Sequence, residues 1–333
     1  METLINSYYY APHVHSMRRS QIEDDMKIMK SIGTDIISLC VHDWQMWNWM
    51  HPRINRFVQL AHSYGFKVHL VPNRWGGLFA GWIDGFDEFM LANPDIIIQN
   101  RDGKPFRSDE GNHCFSGRIT AFGCTQNPKL QSYFFERLIP RLCEAMEFDG
   151  IVWDEPHSHV CYCPYCRALA PNGEPTPEWQ FARTAEFINQ CSEAIRNQCQ
   201  RDITISLFIQ PGQTGLLREL VRQPALDYIG SDGFVRSPDR HVQGWEKQDI
   251  FTYYDEIDPI IRSAGKKTFY LLEAQNHRDA DLEDYFPSIE RACNLPMNQL
   301  MNYFAAHEMS DPENERRFNE ATWNAVKALA ERR

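Results

Sequence analysis

Two glutamates directly follow apolar segments and could act as an acid and a base. Glu155 closes the segment 150–155 (GIVWDE), and Glu273 closes the segment 268–273 (TFYLLE). Two carboxyl groups across one site are what glycoside hydrolysis requires. One of them protonates the leaving oxygen, while the other attacks the anomeric carbon or activates water. Either glutamate alone would fit an ion pair at the rim of a fold, but the pair after two apolar segments favours catalysis.

Asp154 lies next to Glu155 in the sequence and has several alternative roles. Its carboxylate could bind a sugar hydroxyl, or raise the pKa of Glu155 through like-charge repulsion. It could also act as the acid itself, or serve only the structure at the end of a strand. These alternatives stay open at the level of the sequence.

A cysteine cluster indicates a metal site. Three cysteines within six residues form the pattern C-x-C-x-x-C, namely Cys161, Cys163 and Cys166. Zinc takes about four nitrogen or sulfur ligands in a tetrahedron, and thiolates at this spacing suit it. Cys124 is the preferred fourth ligand, because it lies in a polar stretch that contains glycine. The alternatives are Cys114, His157 and His159. Four cysteines would form a closed, structural site, whereas a histidine ligand with an open position would indicate a catalytic one. Free loop thiols are the metal-free alternative.

The remaining cysteines considered lie in apolar or helical contexts and are predicted to be buried thiols. They are Cys40, Cys143, Cys191, Cys199 and Cys293. Residues 1–11 contain no basic region followed by an apolar one, so we expect no signal peptide. Together with the length of the chain, this predicts a reducing compartment and a cytoplasmic location.

Strand-like and helix-like segments alternate through the chain. The strand-like segments are residues 5–11, 35–41, 66–71, 150–154, 203–209, 226–231, 268–272 and 299–304. The helix-like segments are residues 20–32, 54–64, 128–147, 176–200, 250–264, 282–293 and 314–331. Ser20 and Glu23 have the spacing of a capping box at the start of the first helix. Eight apolar strands that alternate with helices predict an α/β fold, a (β/α)8 TIM barrel, rather than a doubly wound open sheet.

In such a barrel the active site lies at the carboxyl ends of the strands. This rule selects a set of candidate substrate-binding residues: His13, Asp43, Trp44, Arg74, Trp75, Trp153, Asp154, Asp232 and His307. We expect the three tryptophans to stack on sugar faces and the polar side chains to bond hydroxyl groups. Arg74 would also suit a sugar carboxylate.

Several segments resemble the catalytic barrel of glycoside hydrolase family 42, the β-galactosidases, within clan A of the retaining barrel hydrolases. These segments are residues 22–33, residues 57–71, Cys124 with residues 127–128, Glu155 with the cysteine pattern after it, and residues 268–275. The resemblance implies Glu155 as the acid/base and Glu273 as the nucleophile. It also implies a structural zinc ion bound by Cys124, Cys161, Cys163 and Cys166.

The chain departs from that family in two respects. Asp154 stands where clan A usually has an asparagine that contacts the sugar 2-hydroxyl, which leaves the substrate open. The sequence also stops after the barrel, where the family continues with two further domains. We therefore expect a divergent, barrel-only relative that acts on an oligosaccharide or a glycoside.

Composition and charge exclude several classes of protein. A chain of 333 residues that is 43% hydrophobic can bury a large core, which argues against general disorder. The net charge of −11 argues against nucleic-acid binding. No apolar run reaches the ~18 residues of a membrane span. The sequence also lacks a Walker A loop and a G-x-G-x-x-G pattern after the first strand.

The predicted organisation is a single catalytic barrel over residues 1–333. A long loop follows the third strand (about 73–127), and a cysteine-rich loop follows the fourth (about 156–176). Association with identical chains stays open. Two alternative functions also remain: a non-catalytic carbohydrate-binding barrel, and a metal-dependent hydrolase or lyase that uses His13, His15 and Asp232.

Overall fold

The computed structural model describes residues 3–9, 14, 17–47, 50–79, 87–106, 121–210, 212–234, 250–273, 282–304 and 312–333. Eight parallel strands pair in chain order, and the last pairs with the first, so the sheet closes into a barrel. The strands are β1 (Leu4–Tyr9), β2 (Ile36–His42), β3 (Lys67–Asn73), β4 (Gly150–Trp153), β5 (Thr204–Phe208), β6 (Tyr228–Phe234), β7 (Lys267–Glu273) and β8 (Gln299–Phe304). The predicted (β/α)8 TIM barrel is therefore confirmed.

Helices alternate with these strands. They are α1 (Arg19–Ser31), α2 (His51–Ser63), α3 (Glu88–Ala92), α4 (Pro128–Ser132), α5 (Ile139–Ala145), α6 (Pro164–Leu169), α7 (Pro177–Cys199), α8 (Thr214–Leu220), α9 (Ile250–Ser263), α10 (Leu282–Cys293) and α11 (Pro312–Ala330). A wider helical turn, Tyr133–Leu138, joins α4 to α5. None of the described helices combines the length and the apolarity that a bilayer crossing needs.

The alternation of side chains along each strand divides the core into two layers. In β1, Tyr8 packs inside the barrel with Val152 and Phe269, whereas the next residue, Tyr9, stacks on Phe57 of α2 at 5.4 Å between ring centroids. Successive side chains of a strand point to opposite faces, so one strand supplies both the barrel interior and the contact with the helices. Polar residues that follow on the inward-facing side of a strand therefore lie at the mouth of the barrel.

Two local expectations differ from the structure. The cap of α1 is Arg18, whose backbone N–H donates to Oε1 of Gln21 at 3.0 Å, so Ser20 and Glu23 do not form the predicted capping box. Strand β6 is longer than predicted and includes Asp232. The pairing of β6 with β7 extends to Phe234, which lies opposite Glu273. This part of the chain therefore stays in the sheet.

The predicted buried thiols are confirmed for three cysteines and wrong for two. Cys40, Cys191 and Cys293 are buried and free. Cys143 at the end of α5 and Cys199 at the end of α7 instead form a disulfide bond, with Cα atoms 5.2 Å apart. The two are 56 residues apart in the sequence, so their pairing follows from the packing of the two helices and not from a local pattern.

The hydrogen-bonded seams of the barrel differ in length. β2 and β3 pair over seven residues, from Ile36 with Lys67 to His42 with Asn73. β3 and β4 pair over only two, His69 with Gly150 and Leu70 with Ile151. The carboxyl halves of β3 and β4 therefore separate at the mouth, where the long loop of residues 74–127 leaves the barrel.

Candidate active site

Four carboxyl groups gather at the carboxyl ends of three strands. Asp154 follows β4, Asp232 lies near the end of β6, and Glu273 is the last residue of β7. Asp154 and Glu273 are 8% and 6% exposed, and Glu155 and Asp232 are half-buried. The structure therefore brings the two predicted catalytic glutamates to the same mouth of the barrel.

The backbone at Glu155 explains why two adjacent acidic residues face one site. In a regular strand, Glu155 would point to the side of Trp153, toward the helices. Its φ angle of 43° lies instead in the left-handed region, which non-glycine residues rarely adopt. The turn lets the Glu155 side chain reach Gln210, whose Nε2 donates to Oε2 of Glu155 at 3.0 Å. Such backbone strain is typical of functional sites.

Asp232 on β6 is a second charged neighbour of Glu155. When two carboxyl groups lie close together, the charge of one disfavours ionisation of the other. Burial raises the pKa of Glu155 well above its ordinary value, and repulsion from Asp232 and Asp154 adds to that rise. These influences favour the protonated form of Glu155, which is the form that a general acid needs.

Asp154 belongs to the same electrostatic group. Burial, followed by the charge of Asp232, raises the pKa of Asp154 to about 7, while a hydrogen bond from Tyr8 opposes the rise. The Tyr8 hydroxyl donates to Oδ2 of Asp154 at 3.4 Å. Like-charge repulsion among these carboxyls, one of the roles predicted for Asp154, is thus present. The Glu273 carboxylate adds to the repulsion at Glu155.

Tyr253 of α9 is a member of the site that sequence reasoning missed. Gly233 of β6 lets this helix come close, because a Cβ atom there would lie 3.3 Å from Cα of Ile250. Tyr253, one turn later, is 3% exposed. Its phenol experiences the charges of Asp232, Glu155 and Glu273. No strand end or motif marks this residue in the sequence, so only the packing of α9 on β6 reveals it.

Two of the predicted sugar-stacking tryptophans do not reach the mouth. Trp75 is buried, and its Nε1 donates to the carbonyl of Val41 at 2.9 Å. Trp153 is buried as well, stacks on Phe79, and donates from Nε1 to Oγ of Ser192 in α7. Both indoles lie in the core outside the barrel wall, so neither has a face for a ligand. Their predicted role is corrected to core packing.

The other predicted binding residues have more varied positions. Asp43, in the turn Asp43–Met46, accepts a hydrogen bond of 2.9 Å from the Tyr133 hydroxyl. The same turn contains Trp44, whose side chain lies outside the description. Arg74 has a left-handed backbone, and its charge acts on Asp87 and His157. The predicted residues His13, His15 and His307 lie outside the described residues.

The predicted metal ligands converge. Four sulfur atoms lie within 4.8 Å of one another, those of Cys124, Cys161, Cys163 and Cys166. The Sγ atom of Cys124 lies 3.5 Å from that of Cys166 and 3.7 Å from that of Cys163. Thiolates bound at about 2.3 Å to a tetrahedral zinc ion lie about 3.8 Å apart, so the donor set and its spacing fit zinc.

The alternative metal ligands are not part of this cluster. His157 donates from Nε2 to the carbonyl of Gly123 at 2.8 Å, and burial lowers its pKa to about 3. His159 is exposed and packs against the rings of Phe106 and Phe122. Cys114 lies outside the described residues. Within the described part of the chain, the sulfur cluster is the only convergent group of three or more such ligands.

Comparison with known proteins gives similarity in structure and none in sequence. No family model matches this sequence. A search of curated proteins finds no match either.

Several solved structures have a similar fold. A β-galactosidase from Rahnella sp. R3 aligns with a TM-score of 0.64 at 12% identity, over 99% of this chain and 56% of that chain. A family 42 β-galactosidase from G. stearothermophilus gives 0.63 at 14% identity, over 99% and 57%. The α-L-fucosidase isoenzyme 2 from Paenibacillus thiaminolyticus gives 0.62 at 13% identity, over 98% and 50%.

The chain thus spans between 50% and 57% of the length of these three proteins. At 12–14% identity the likeness establishes a shared fold. The protein has the barrel architecture that these glycosidases also have.

Proposed function

We propose that this protein is a retaining glycoside hydrolase with Glu155 as the acid/base and Glu273 as the nucleophile. The observation that carries the proposal is the placement of both glutamates at one barrel mouth, just after β4 and at the end of β7. Burial and neighbouring carboxylates raise the pKa of Glu155 and so favour its protonated form, while Glu273 closes β7 at the same mouth. Two carboxyls with different protonation states are the machinery that glycosidic cleavage requires.

The first displacement transfers the sugar to the protein. A carboxylate oxygen of Glu273 attacks the anomeric carbon, and the bond from that carbon to the leaving oxygen breaks. Glu155 gives its proton to that oxygen, so the leaving group departs as an alcohol. The charge of Asp232 raises the pKa of Glu155 and so helps it to hold the proton before the transfer.

The second displacement releases the sugar. Glu155, now a carboxylate, takes a proton from a water molecule while the water oxygen attacks the anomeric carbon. The ester bond to Glu273 breaks, and both glutamates return to their starting states. Gln210 donates to Glu155 and stabilises its carboxylate form during this half of the cycle.

We also propose that the four-cysteine cluster binds a structural zinc ion. Cys124 comes from the loop after β3, and the other three cysteines come from the loop after β4. A closed site of four thiolates leaves no coordination position for a substrate. The ion would hold the two loops together six residues beyond Glu155.

The substrate specificity is proposed only at the level of glycosides. The named activities of the similar structures include β-galactosidase and α-L-fucosidase, so a β-galactoside is one candidate and other glycosides are equally open. The non-catalytic carbohydrate-binding barrel is the outcome to exclude by experiment. The metal-dependent alternative relies on His13 and His15, which lie outside the described residues, and its test is whether a second metal is lost together with activity.

The test is the hydrolysis of a panel of aryl glycosides by the wild type, by Glu273→Gln and by Glu155→Gln. We expect Glu273→Gln to lose at least about a thousandfold in kcat on every substrate, because no covalent intermediate can form. Glu155→Gln should lose most on substrates with poor leaving groups, because these need the proton. Wild-type turnover by Glu273→Gln would refute the proposal. No turnover by the wild type would favour the binding role.

A further inference from the structure

We propose that the substrate is a glycoside of an amino sugar, with a positively charged amino group on the carbon next to the anomeric carbon. This inference rests on the proposed function and specifies its substrate class. It follows from the carboxyl groups that the two-glutamate mechanism does not use, and from one buried hydroxyl that faces them.

The mouth of the barrel holds more acidic groups than hydrolysis needs. Glu155 and Glu273 are sufficient for the two displacements. Asp154 and Asp232 bring two further carboxyls into electrostatic contact with Glu155. The charged groups that act on Asp154 and Glu155 are other carboxyls, and within the described residues no lysine or arginine is prominent among them. Carboxylates held together in this way are stabilised by protons or by a cation from the ligand.

Tyr253 is an independent indication of a ligand. Its hydroxyl is buried, and it has no hydrogen-bond partner among the described residues. A buried hydroxyl without a partner costs free energy, so such groups usually have a bound ligand or water to contact. The phenol lies under the charges of Asp232, Glu155 and Glu273. Its oxygen could accept an N–H bond from an ammonium group that the carboxylates attract.

The arrangement fits an ammonium group better than a metal ion. Metal ions require several ligand atoms that converge on one point. Among the described residues, only the cysteine sulfurs converge in this way, and the carboxylates of the mouth do not. An ammonium group has three N–H donors that point in different directions, so separated acceptors suit it.

The position of the amino group follows from the position of the extra acids. Glu155 must reach the glycosidic oxygen on the anomeric carbon. The charges of Asp232 and Asp154 both act on Glu155, and Asp154 precedes Glu155 in the chain. Both extra carboxyls therefore lie beside the reacting centre and not at a distant subsite. The nearest ring substituent that they can meet is the one on the adjacent carbon.

The first experiment compares three substituents at that carbon. Nitrophenyl glycosides with a free amine, a hydroxyl or an N-acetylamine would be assayed in the gluco and galacto series and as both anomers. We expect kcat/KM for the free amine to exceed that of the hydroxyl by about tenfold or more, since one charge-assisted bond is worth that much. The N-acetyl compound, which is uncharged, should not share the preference.

Variants connect this preference to the named residues. Asp232→Asn should reduce the ratio of amine to hydroxyl kcat/KM by about tenfold. Tyr253→Phe, which removes only one oxygen, should reduce this ratio less. It is the substitute test if Asp232→Asn does not fold. Asp24→Asn removes the same charge from the exposed face of α1. It is the matched control and should leave the ratio unchanged.

A binding measurement separates this inference from the proposed function. D-glucosamine and D-galactosamine would be titrated calorimetrically into the wild type in two buffers that differ in ionisation enthalpy, with glucose and galactose as neutral controls. A bound ammonium group lowers the raised pKa values of Asp154 and Asp232, so we expect amino-sugar binding to release protons. The other titratable groups that face this cluster are Tyr8, Cys40 and Tyr253.

The outcomes are distinct. Equal or faster hydrolysis of the hydroxyl glycosides would overturn the amino-sugar inference and leave the glycosidase proposal intact. If no glycoside is hydrolysed, the glycosidase proposal fails, and the titration decides the inference by itself. Amino sugars that bind no more tightly than glucose and galactose would then overturn it.

Discussion

The amide nitrogen Nε2 of Gln210 donates a 3.0 Å hydrogen bond to Oε2 of Glu155, across the neighbouring strands β5 and β4. This bond stabilises the carboxylate and thereby lowers the pKa of Glu155, while burial and the nearby acids raise it. The pKa of Glu155, the acid of the proposed reaction, is therefore set by opposing influences. Gln210 keeps Glu155 able to lose its proton within each cycle.

Replacement of Gln210 by leucine should shift the pH profile. The donor that favours the Glu155 carboxylate is lost, so the pKa of Glu155 rises. Because the general acid must be protonated, the alkaline limb of the kcat/KM profile should move to higher pH. An alkaline limb that stays in place would show that another group controls it. Gln190→Leu, which removes an exposed amide on α7, is the control.

Asp154→Asn should alter how stability depends on pH. The folded-state pKa of Asp154 is about 7, above the ordinary value of 3.8. A raised carboxyl pKa contributes stability that is complete below the ordinary value and is lost as the pH rises through the folded value. Relative to the wild type, the variant should gain up to about 4 kcal/mol in unfolding free energy between acidic and mildly alkaline conditions.

Denaturant unfolding of both proteins across this pH range measures the difference. The groups that face Asp154 are Tyr8, Cys40, Glu155 and Asp232. Asp24→Asn, on an exposed helix face, should show no such trend. A constant difference between Asp154→Asn and the wild type would mean that Asp154 ionises normally in the folded state.

Loss of one sulfur of the cluster should release the proposed zinc ion. Cys166→Ser should reduce the metal content, measured by elemental analysis, from one zinc per chain toward none, and should lower the melting temperature. Cys293→Ala removes a buried thiol far from the cluster in sequence and should retain the metal. A Cys166→Ser protein with a full complement of zinc would show that other ligands hold the ion.

Reduction of the disulfide between Cys143 and Cys199 should destabilise the helical layer. With 56 residues of sequence separation, the loop-entropy relation gives about 4 kcal/mol of stabilisation. Alkylation of the unfolded, unreduced chain followed by mass spectrometry should leave these two cysteines unmodified. Modification of both would show that the pair is reduced in solution. Cys143→Ser should be insensitive to dithiothreitol, whereas the wild type should lose stability.

The barrel and part of the candidate site can be predicted from the sequence, because strands and helices alternate regularly along it. Apolar strands alternate with helices in register with the fold, so the carboxyl ends of the strands identify Glu155, Asp232 and Glu273. Cys161, Cys163 and Cys166 are recognised by their spacing. In each case the signal lies within a few residues of sequence.

The errors arise where a side chain's direction or a distant contact decides. Trp153 and Asp154 are adjacent, and the strand sends one to the helices and the other into the mouth. A strand-end rule alone selects both. Tyr253 enters the site through helix packing, and Cys143 finds Cys199 through the same kind of contact. None of these three outcomes has a local sequence pattern.

The short pairing between strands β3 and β4 gives the four-cysteine cluster a mechanical role. Only two residue pairs join these strands, yet Cys124 in the loop after β3 contacts Cys163 and Cys166 in the loop after β4. The cysteine thiols thus connect the loops after β3 and β4, the two neighbouring strands that share the fewest residue pairs. Under mechanical load, Glu155 should move with β5, to which Gln210 binds it. The four-cysteine cluster should limit how far β3 and β4 separate.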